Sequence, residues 1–364
     1  MEWVRGHQLG RGSFATIYLA KLTNGSDQHL PLMAVKSSVS QSSVSLKNEK
    51  QILDRIGSCP QIIACFGDGF SVEKDGEKYY NLLLEYANGG SLADALKIHG
   101  GGLPEFDVRR YTRGILCGLR YIHCNGFVHC DLKLSNVLIF GNGDVKIADF
   151  GLAKPAGKMT AAETEERFQW RGTPMYMSPE NVNGGEYEPP CDIWALGCAV
   201  VEMVAGKPAW RVGPETDIFA LMMRIGVGDE VPEVPENLSA EGKDFLRRCF
   251  VKDPRNRWTA EMLLNHPFVA GGGGTVTLKE AELATESPTG PFDFPEFVCS
   301  EQGPEELSSC WGNSSPEMMR RRVGELVTEK PLHWSVMDSW VTFEKLIMEY
   351  STLLIARQFL SLCI

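Results

Sequence analysis

The first third of the chain consists of short apolar segments separated by turns rich in Gly, Asn, Asp and Ser. Within these segments apolar residues alternate with polar ones or cluster together, as they do in antiparallel strands. One longer segment instead spaces its apolar residues as a helix does, and it ends at Gly57. The pattern predicts a helix at 43–56 and strands at 4–10, 16–22, 32–36, 62–70 and 79–86.

Beyond Gly90 the spacing of the apolar residues is helical. A strand-rich first third followed by a helical remainder indicates an α+β fold with two lobes. The first lobe is then a small antiparallel sheet with one long helix, and the second lobe is larger and mostly helical. The predicted helices of the second lobe are 92–98, 106–124, 192–205, 217–226, 240–250 and 260–264.

A run of four glycines, 271–274, marks the end of this regular pattern and predicts a flexible joint. The residues that follow are rich in Glu, Ser, Pro and Gly, and 280–319 contain no lysine or arginine. Such a composition is typical of chains that cannot hold a packed core. We interpret 270–364 as an acidic, mostly disordered tail that regulates the protein or docks protein partners. Its apolar stretch, 340–364, is a candidate helix.

Composition and charge exclude several classes of protein. The hydrophobic content of 43% is ample for packed cores, and the most apolar stretch is interrupted by Glu202, so we expect no membrane span. Eleven cysteines form no Cys-x-x-Cys pair, and the first residues leave no room for a secretory signal. These features predict reduced thiols in the cytoplasm or nucleus. A net charge of −11 argues against nucleic acid as a partner.

Several motifs with separate chemical uses follow one another along the chain. They are a glycine-rich turn at 9–17, Ala34-Val35-Lys36, His129-Cys130-Asp131-Leu132-Lys133-Leu134-Ser135-Asn136, Asp149-Phe150-Gly151, and the stretch from Gly172 to Glu180. In order and spacing they resemble the signature motifs of the eukaryotic protein kinases. The resemblance covers 3–269 and implies the bilobal protein-kinase fold, with an N-lobe at 3–86 and a C-lobe at 87–269. It also implies ATP and Mg²⁺ as cofactors.

The resemblance places the nucleotide in the N-lobe. Lys36 would hold the α- and β-phosphates, and Glu49 would orient it. Glu49 alone would be interpreted as part of a solvated helix face, but the preceding Lys36 favours an ion pair. The backbone of Glu85 and Ala87 would meet the adenine. The residues assigned to the nucleotide are Leu9, Gly10, Arg11, Gly12, Ser13, Phe14, Ala15, Thr16, Ile17, Ala34, Lys36, Glu49, Glu85, Ala87 and Leu138.

The glycine-rich turn departs from the family pattern at one position. Ala15 stands where the family has a third glycine. A methyl group is tolerable there, but a positive φ at that position would strain an alanine.

The catalytic residues implied by the resemblance lie in the second half of the motif series. Asp131 would accept the proton of the substrate hydroxyl or orient that hydroxyl for attack. Lys133 suits the transferred phosphoryl group and is the choice of serine/threonine kinases. Asn136 and Asp149 supply oxygen ligands of the kind that Mg²⁺ prefers. A plain polar turn would not require these four side chains at these spacings.

Cys130 occupies the position where most protein kinases have an arginine. That arginine normally binds the phosphate on the activation segment, and a thiol cannot form the same charge-assisted contact. We therefore expect basal activity that does not depend on phosphorylation of this segment, with Thr160 and Thr164 at most modulating it. Simple space filling by Cys130 is compatible with the same outcome.

Other residues match the scaffold of the family. Glu180 would pair with Arg257, and Asp192 would hold the backbone of the catalytic loop from a buried helix. His123 and His266 have no informative partner spacing, and we assign them to packing or to the surface.

The segments 89–92, 192–210 and 244–269 narrow the resemblance to mitogen-activated protein (MAP) kinase kinase kinases of the MEKK type. This implies MAP kinase kinases as substrates. A kinase domain followed by a short acidic tail is similar to the plant stress-signalling branch. The run 338–341, together with the His-Cys-Asp loop, resembles its abscisic-acid-linked members. Ser91 and Ser135 replace the carboxylates of arginine-directed kinases, so strong selection of arginine near the target is not expected.

Two alternative functions remain open from the sequence. A pseudokinase scaffold would bind partners without transferring phosphate, and the complete set of motif residues argues against it. The cytoplasmic fragment of a receptor-like serine/threonine kinase, outside the MAP kinase cascade, would also lack the catalytic-loop arginine. It would need an upstream membrane span, whereas this sequence starts at the kinase domain.

Overall fold

A computed structural model of the chain has the predicted α+β fold with two lobes. Its N-lobe is an antiparallel sheet of five strands in the order β1-β2-β3-β5-β4, with helix α1 packed against β4 and β5. The elements are β1 (Trp3–Arg11), β2 (Thr16–Leu22), β3 (Leu32–Val39), α1 (Val44–Ile56), β4 (Cys65–Val72) and β5 (Lys78–Glu85). The structure describes residues 2–12, 14–23, 32–73, 76–157, 171–184, 186–212 and 217–270.

The C-lobe is mostly helical and carries two short β-ribbons. In one ribbon β6 (Phe127–Val128) pairs with β9 (Lys154–Pro155), and in the other β7 (Val137–Ile139) pairs with β8 (Val145–Ile147). The helices are α2 (Leu92–His99), α3 (Glu105–Cys124), α4 (Pro179–Gly184), α5 (Pro189–Ala205), α6 (Ile218–Gly226), α7 (Ala240–Cys249), α8 (Ala260–Leu264) and α9 (Pro267–Ala270). None of the helices in the described ranges has the length and apolarity needed to cross a bilayer.

The predicted strand at 62–70 is shifted in the structure, where β4 begins at Cys65. Ile62 and Ile63 are buried in the main hydrophobic core, and their backbone pairs with Ile147 of β8 instead of with the N-lobe sheet. An apolar run shows that residues are buried but not which lobe buries them. The strand prediction was therefore wrong at its start.

Helix α5 is the buried centre of the C-lobe. Nearly all of its side chains are inaccessible, including Trp194 and Asp192, and the helix ends at Gly206 in the left-handed conformation. It begins at Pro189, three residues before the predicted start. Proline is well suited to the first turn of a helix because that turn does not need its N–H group. The early start places Asp192 in the first turn, next to the catalytic loop.

A buried ion pair joins α4 to the loop before α8. The Arg257 guanidinium donates to both carboxylate oxygens of Glu180, at 2.6 and 3.0 Å, and to the carbonyl oxygen of Pro190 at 2.8 Å. It also lies over the Trp194 ring. The Arg257 side chain is fully buried and that of Glu180 is 10% exposed. A charge this deeply buried is tolerated because it is paired and hydrogen-bonded.

We predict that Glu180→Gln destabilises the protein strongly. The substitution leaves the Arg257 guanidinium buried without its counter-charge, and breaking such a pair costs about 3–5 kcal/mol. The free energy of unfolding of the full chain, measured by chemical denaturation, tests this expectation.

Glu233→Gln is the matched control. Glu233 pairs with Arg211 on the surface, where the two side chains are 60% and 71% exposed. Exposed pairs contribute about 0–1 kcal/mol, so this variant should unfold almost as the wild type does. Equal stability losses in the two variants would contradict a special role for the buried pair.

Candidate active site

The ammonium group of Lys36 joins elements of both lobes. Lys36 lies in β3, and its Nζ donates to Glu49 Oε2 on α1 at 2.7 Å and to Asp149 Oδ1, after β8, at 2.8 Å. Glu49 is fully buried and also accepts a hydrogen bond from the Phe150 backbone N–H at 3.2 Å. The sequence-predicted partners Lys36 and Glu49 are thus together, and Asp149 joins them.

Each charge in this cluster changes the pKa of its neighbours. Burial by itself lowers the pKa of Lys36, but the carboxylates of Asp149 and Glu49 raise it above its ordinary value. The partial burial of Asp149 works against its ionised form, yet the attraction of Lys36 lowers the pKa of Asp149 to about 2. Burial raises the pKa of Glu49, while Lys36 and the Phe150 N–H act in the opposite direction. The result is a charged ammonium held beside an ionised Asp149 at neutral pH.

The second cluster is built around Asp131 in the loop between β6 and β7. Asp131 Oδ1 accepts hydrogen bonds from the Thr173 N–H at 2.9 Å and from the Thr173 hydroxyl at 2.8 Å. Lys133 Nζ lies 2.8 Å from Asp131 Oδ2 and donates to Thr173 Oγ1 at 2.9 Å. Asn136 Nδ2 donates to the Asp131 carbonyl oxygen at 2.8 Å. The predicted catalytic residues Asp131 and Lys133 therefore lie side by side.

Asp192 holds the catalytic loop from below. Its carboxylate accepts the backbone N–H groups of His129 at 2.9 Å and Cys130 at 3.0 Å, and it contacts His123 Nε2 at 2.9 Å. Burial alone would raise the pKa of Asp192, but the hydrogen bond with His123 and the nearby imidazoles lower it. His123 is thus a partner of Asp192, which the assignment to generic packing missed, because the two residues are distant in sequence.

Two of these residues have an unusual backbone. Among the described non-glycine residues, only Cys130 (φ 67°) and Asp149 (φ 65°) have a positive φ. Such conformations are costly for residues with a side chain and persist only where the surroundings impose them. The strain therefore lies in the two loops that carry the predicted catalytic and metal-binding residues. Ala15 has no positive φ, so it escapes the strain expected for a third glycine in that position.

The glycine-rich turn joins β1 to β2. Leu9, Gly10 and Arg11 lie at the end of β1, Thr16 and Ile17 begin β2, and the Gly12 N–H donates to the Ala15 carbonyl oxygen at 2.8 Å. Phe14 is 40% exposed at the tip. Ser13 lies outside the described residues.

The remaining predicted nucleotide residues lie where the two lobes meet. Ala34 in β3 pairs with Leu84 in β5, and both Ala34 and Leu138 of β7 pack against the main core. Glu85 ends β5, and its carboxylate binds Lys146 Nζ at 2.7 Å. Ala87 follows two residues later. Because the Glu85 side chain is engaged with Lys146, the predicted contact with adenine would be made by the Glu85 backbone.

Cys130 is buried and neutral. Its side chain belongs to an apolar cluster with Val128, Tyr187 and Cys191, and burial raises the pKa of its thiol well above the ordinary value. Thr160 and Thr164 lie outside the described residues. Cys130 therefore contributes packing in this structure.

Sequence reasoning missed a carboxylate beneath the predicted substrate platform. The Tyr176 hydroxyl donates a hydrogen bond to Glu202 of α5, and burial raises the pKa of Glu202. Glu202 stood out in the sequence only as the charge that interrupts an apolar stretch. The spacing of 26 residues between the two partners gave no signal.

Ser91 has a structural task of its own. Its hydroxyl and backbone N–H form a capping box with Asp94 at the start of α2. Ser135 is exposed. The Ser91 hydroxyl is thus already used within the fold.

Comparison with known proteins agrees with this geometry. A family model described as a protein kinase domain matches residues 3–269. Mitogen-activated protein kinase kinase kinase 20 of Arabidopsis thaliana is 48% identical over 94% of this chain and 99% of its own length. Mitogen-activated protein kinase kinase kinase 17 of the same plant is 42% identical over 80% of this chain and 76% of its own length. Mitogen-activated protein kinase kinase kinase 18, also of Arabidopsis thaliana, is 39% identical over 95% of this chain and 100% of its own length.

Proposed function

Since the chain belongs to the protein kinase family, as a serine/threonine kinase of the mitogen-activated protein kinase kinase kinase class, we propose that its substrates are MAP kinase kinases. The chain is similar over almost its whole length to a relative that bears this class in its name. We propose further that the modified residue is a serine or threonine in the activation segment of that substrate. The observation that carries the choice of serine or threonine is the pairing of Asp131 and Lys133 around the Thr173 hydroxyl.

The residues at the lobe boundary fit ATP and Mg²⁺. Lys36 is a charged, fixed ammonium of the kind that binds phosphate oxygens. Asn136 donates its amide hydrogens to Asp131, which leaves its amide oxygen as the metal-binding atom. Asp149 is ionised at neutral pH and 43% exposed, so it can act as the second oxygen ligand. The metal would neutralise charge on the phosphates, and the protein supplies position and orientation.

Asp131 and Lys133 divide the work on the protein substrate. An incoming hydroxyl would approach the Asp131 carboxylate beside the Thr173 hydroxyl, which lies 2.8 Å from Asp131 Oδ1. Asp131 then orients this hydroxyl or takes its proton, and Lys133 offers a positive charge to the phosphoryl oxygens. The short side chain of serine or threonine suits this site, because the side chain of Thr173 already brings a threonine hydroxyl against Asp131 and Lys133.

Neither alternative function gains support. A pseudokinase would not need the Lys36–Glu49 pair and the Asp131 cluster together. The similarity to MAP kinase kinase kinases extends beyond the kinase domain, whereas a receptor-like kinase would share the domain alone.

We also propose a role in stress signalling, including abscisic-acid-linked signalling, in the cytoplasm or nucleus. The support is the resemblance of the Asp338-Ser339-Trp340-Val341 run and of the His-Cys-Asp loop to that branch of the family. The tail lies outside the described residues.

We predict that Asp131→Asn lowers kcat for phosphate transfer by about 10²–10⁴-fold, because proton handling and alignment of the hydroxyl are lost. Nucleotide affinity, measured with a fluorescent ATP analogue, should be unchanged. Lys36→Met should also lower transfer, by misplacing the phosphates. Asp229→Asn is the control. It changes an exposed carboxylate that belongs to neither the Lys36 cluster nor the Asp131 cluster, so it should retain full activity. Normal transfer by Asp131→Asn would contradict the assignment.

A substrate panel tests the cascade assignment. Catalytically inactive MAP kinase kinases and generic basic proteins are incubated with the enzyme and Mg-ATP, and the modified residues are mapped. We expect transfer to serine or threonine in the activation segment of at least one MAP kinase kinase, without selection of a neighbouring arginine. Preference for the generic proteins, with no MAP kinase kinase modified, would remove the cascade assignment and leave the kinase activity intact.

We propose that the acidic tail restrains activity and docks protein partners. Truncation after Ala270 should then raise the initial rate of transfer, because an acidic segment can cover basic parts of the lobes. An unchanged or lower rate, measured on the same substrate, would leave docking or solvation as the tail's role.

A further inference from the structure

The dipeptide Tyr187-Glu188 contacts both described ends of the segment that leads to the substrate platform. On the early side, the Gly157 N–H lies 3.0 Å from each carboxylate oxygen of Glu188, and Lys154 Nζ donates to the Tyr187 carbonyl oxygen at 2.9 Å. On the late side, the Arg171 N–H donates to the Tyr187 hydroxyl. Two adjacent residues thus hold chain positions on either side of the segment.

Glu188 is free for this contact because of its place in the fold. It is the N-cap residue of α5, but its side chain makes no capping hydrogen bond and reaches Gly157 instead. The positive end of the helix dipole favours a carboxylate there. Lys154 Nζ lies 3.7 Å from Glu188 Oε1 and adds a cation. A backbone N–H and a lysine around an anion form the kind of surroundings that also suit a phosphate.

Tyr187 connects the same dipeptide to the catalytic loop. Its side chain is buried against Cys130 and Cys191, in the cluster where an arginine at position 130 would bring a charge. Its hydroxyl fixes Arg171, two residues before Thr173, and Thr173 binds Asp131 through both its N–H and its hydroxyl. Gly172 between them has φ +95°, and a Cβ there would lie 2.4 Å from the Cys130 carbonyl oxygen. The path from Tyr187 to Asp131 is therefore short and closely packed.

We propose that Tyr187 and Glu188 are positioning residues that anchor the activation segment without phosphate. The Glu188 carboxylate supplies the fixed anion on the early side, and the neutral Tyr187–Cys130 contact takes the place of an arginine on the catalytic-loop side. The anchor holds Thr173 in register with Asp131, so it acts on the protein substrate and not on ATP. This inference rests on the proposed catalytic role of Asp131.

The test compares Glu188→Ala and Tyr187→Phe with the control Glu186→Ala in the full-length chain. Glu186 is exposed and two residues away. Each enzyme is assayed before and after phosphatase treatment, on an inactive MAP kinase kinase and on myelin basic protein. Both anchor variants should lower kcat/KM for protein substrate about tenfold. Glu188→Ala removes a charge-assisted hydrogen bond from the Gly157 N–H, and Tyr187→Phe removes the hydrogen bond from the Arg171 N–H. KM for ATP and the thermal midpoint should stay at wild-type values, and phosphatase treatment should leave the wild type active.

Three outcomes would overturn the anchor. One is a loss no larger than that of Glu186→Ala. Another is a rise in KM for ATP as large as the loss of kcat/KM for protein substrate, or a lower thermal midpoint in the anchor variants. Either result would indicate a general structural defect. The third is inactivation of the wild type by phosphatase, which would show that phosphate holds the segment. Failure of the substrate assignment is distinguishable, because the anchor effect would still be measured on myelin basic protein.

Discussion

The active geometry depends on one buried carboxylate, that of Asp192. It is almost fully inaccessible, and the loss of hydration is offset because two backbone N–H groups and His123 surround it. Those N–H groups belong to the loop that must pass through the positive φ of Cys130 to present Asp131. Without the carboxylate, these two N–H groups would lose the hydrogen bonds that stabilise the loop in this costly conformation. The helix that carries Asp192 is in turn fixed by its packing and by the Glu180–Arg257 pair beside it.

The ammonium groups of Lys36 and Lys133 lie in two separate clusters of polar side chains. Lys36 is surrounded by Glu49 and Asp149, and Lys133 by Asp131 and Thr173. Lys36 stabilises the ionised form of Asp149, and each ammonium group is oriented by the side chains that accept its hydrogen bonds. One cluster joins the lobes and suits phosphates and a metal, whereas the other, under the proposed function, would receive the hydroxyl of the protein substrate. The charges are preorganised, which suits a reaction in which the protein mainly positions the reacting groups and stabilises the charge that develops on them.

The sequence allowed the fold class and most elements to be predicted, because periodicity is a local property. It also brought out Lys36, Asp131 and Asp149, because each stands in a short motif with a recognised use. Glu49 stands in no such motif and was identified only because Lys36 precedes it by 13 residues. Contacts between distant residues without a motif were not predictable. His123 and Asp192 are 69 residues apart, and nothing in either neighbourhood points to the other. Similarly, Ile62 was apolar enough for a strand, but only the packed structure shows that it joins the other lobe.

The neutral cluster at Cys130 and the carboxylate of Glu188 together replace the arginine and the phosphate that hold this segment in most protein kinases. An arginine at position 130 would be poorly hydrated among Val128, Tyr187 and Cys191 unless an anion reached it, so it would favour order only after phosphorylation. A thiol in the same place needs no counter-ion, and its raised pKa keeps it uncharged. The fold instead places an anion on the other side of the segment, where Glu188, the N-cap residue of α5, accepts the Gly157 N–H. A carboxylate supplied by the fold cannot be removed by a phosphatase. An enzyme with this anchor would therefore keep its basal activity without a phosphate on the activation segment.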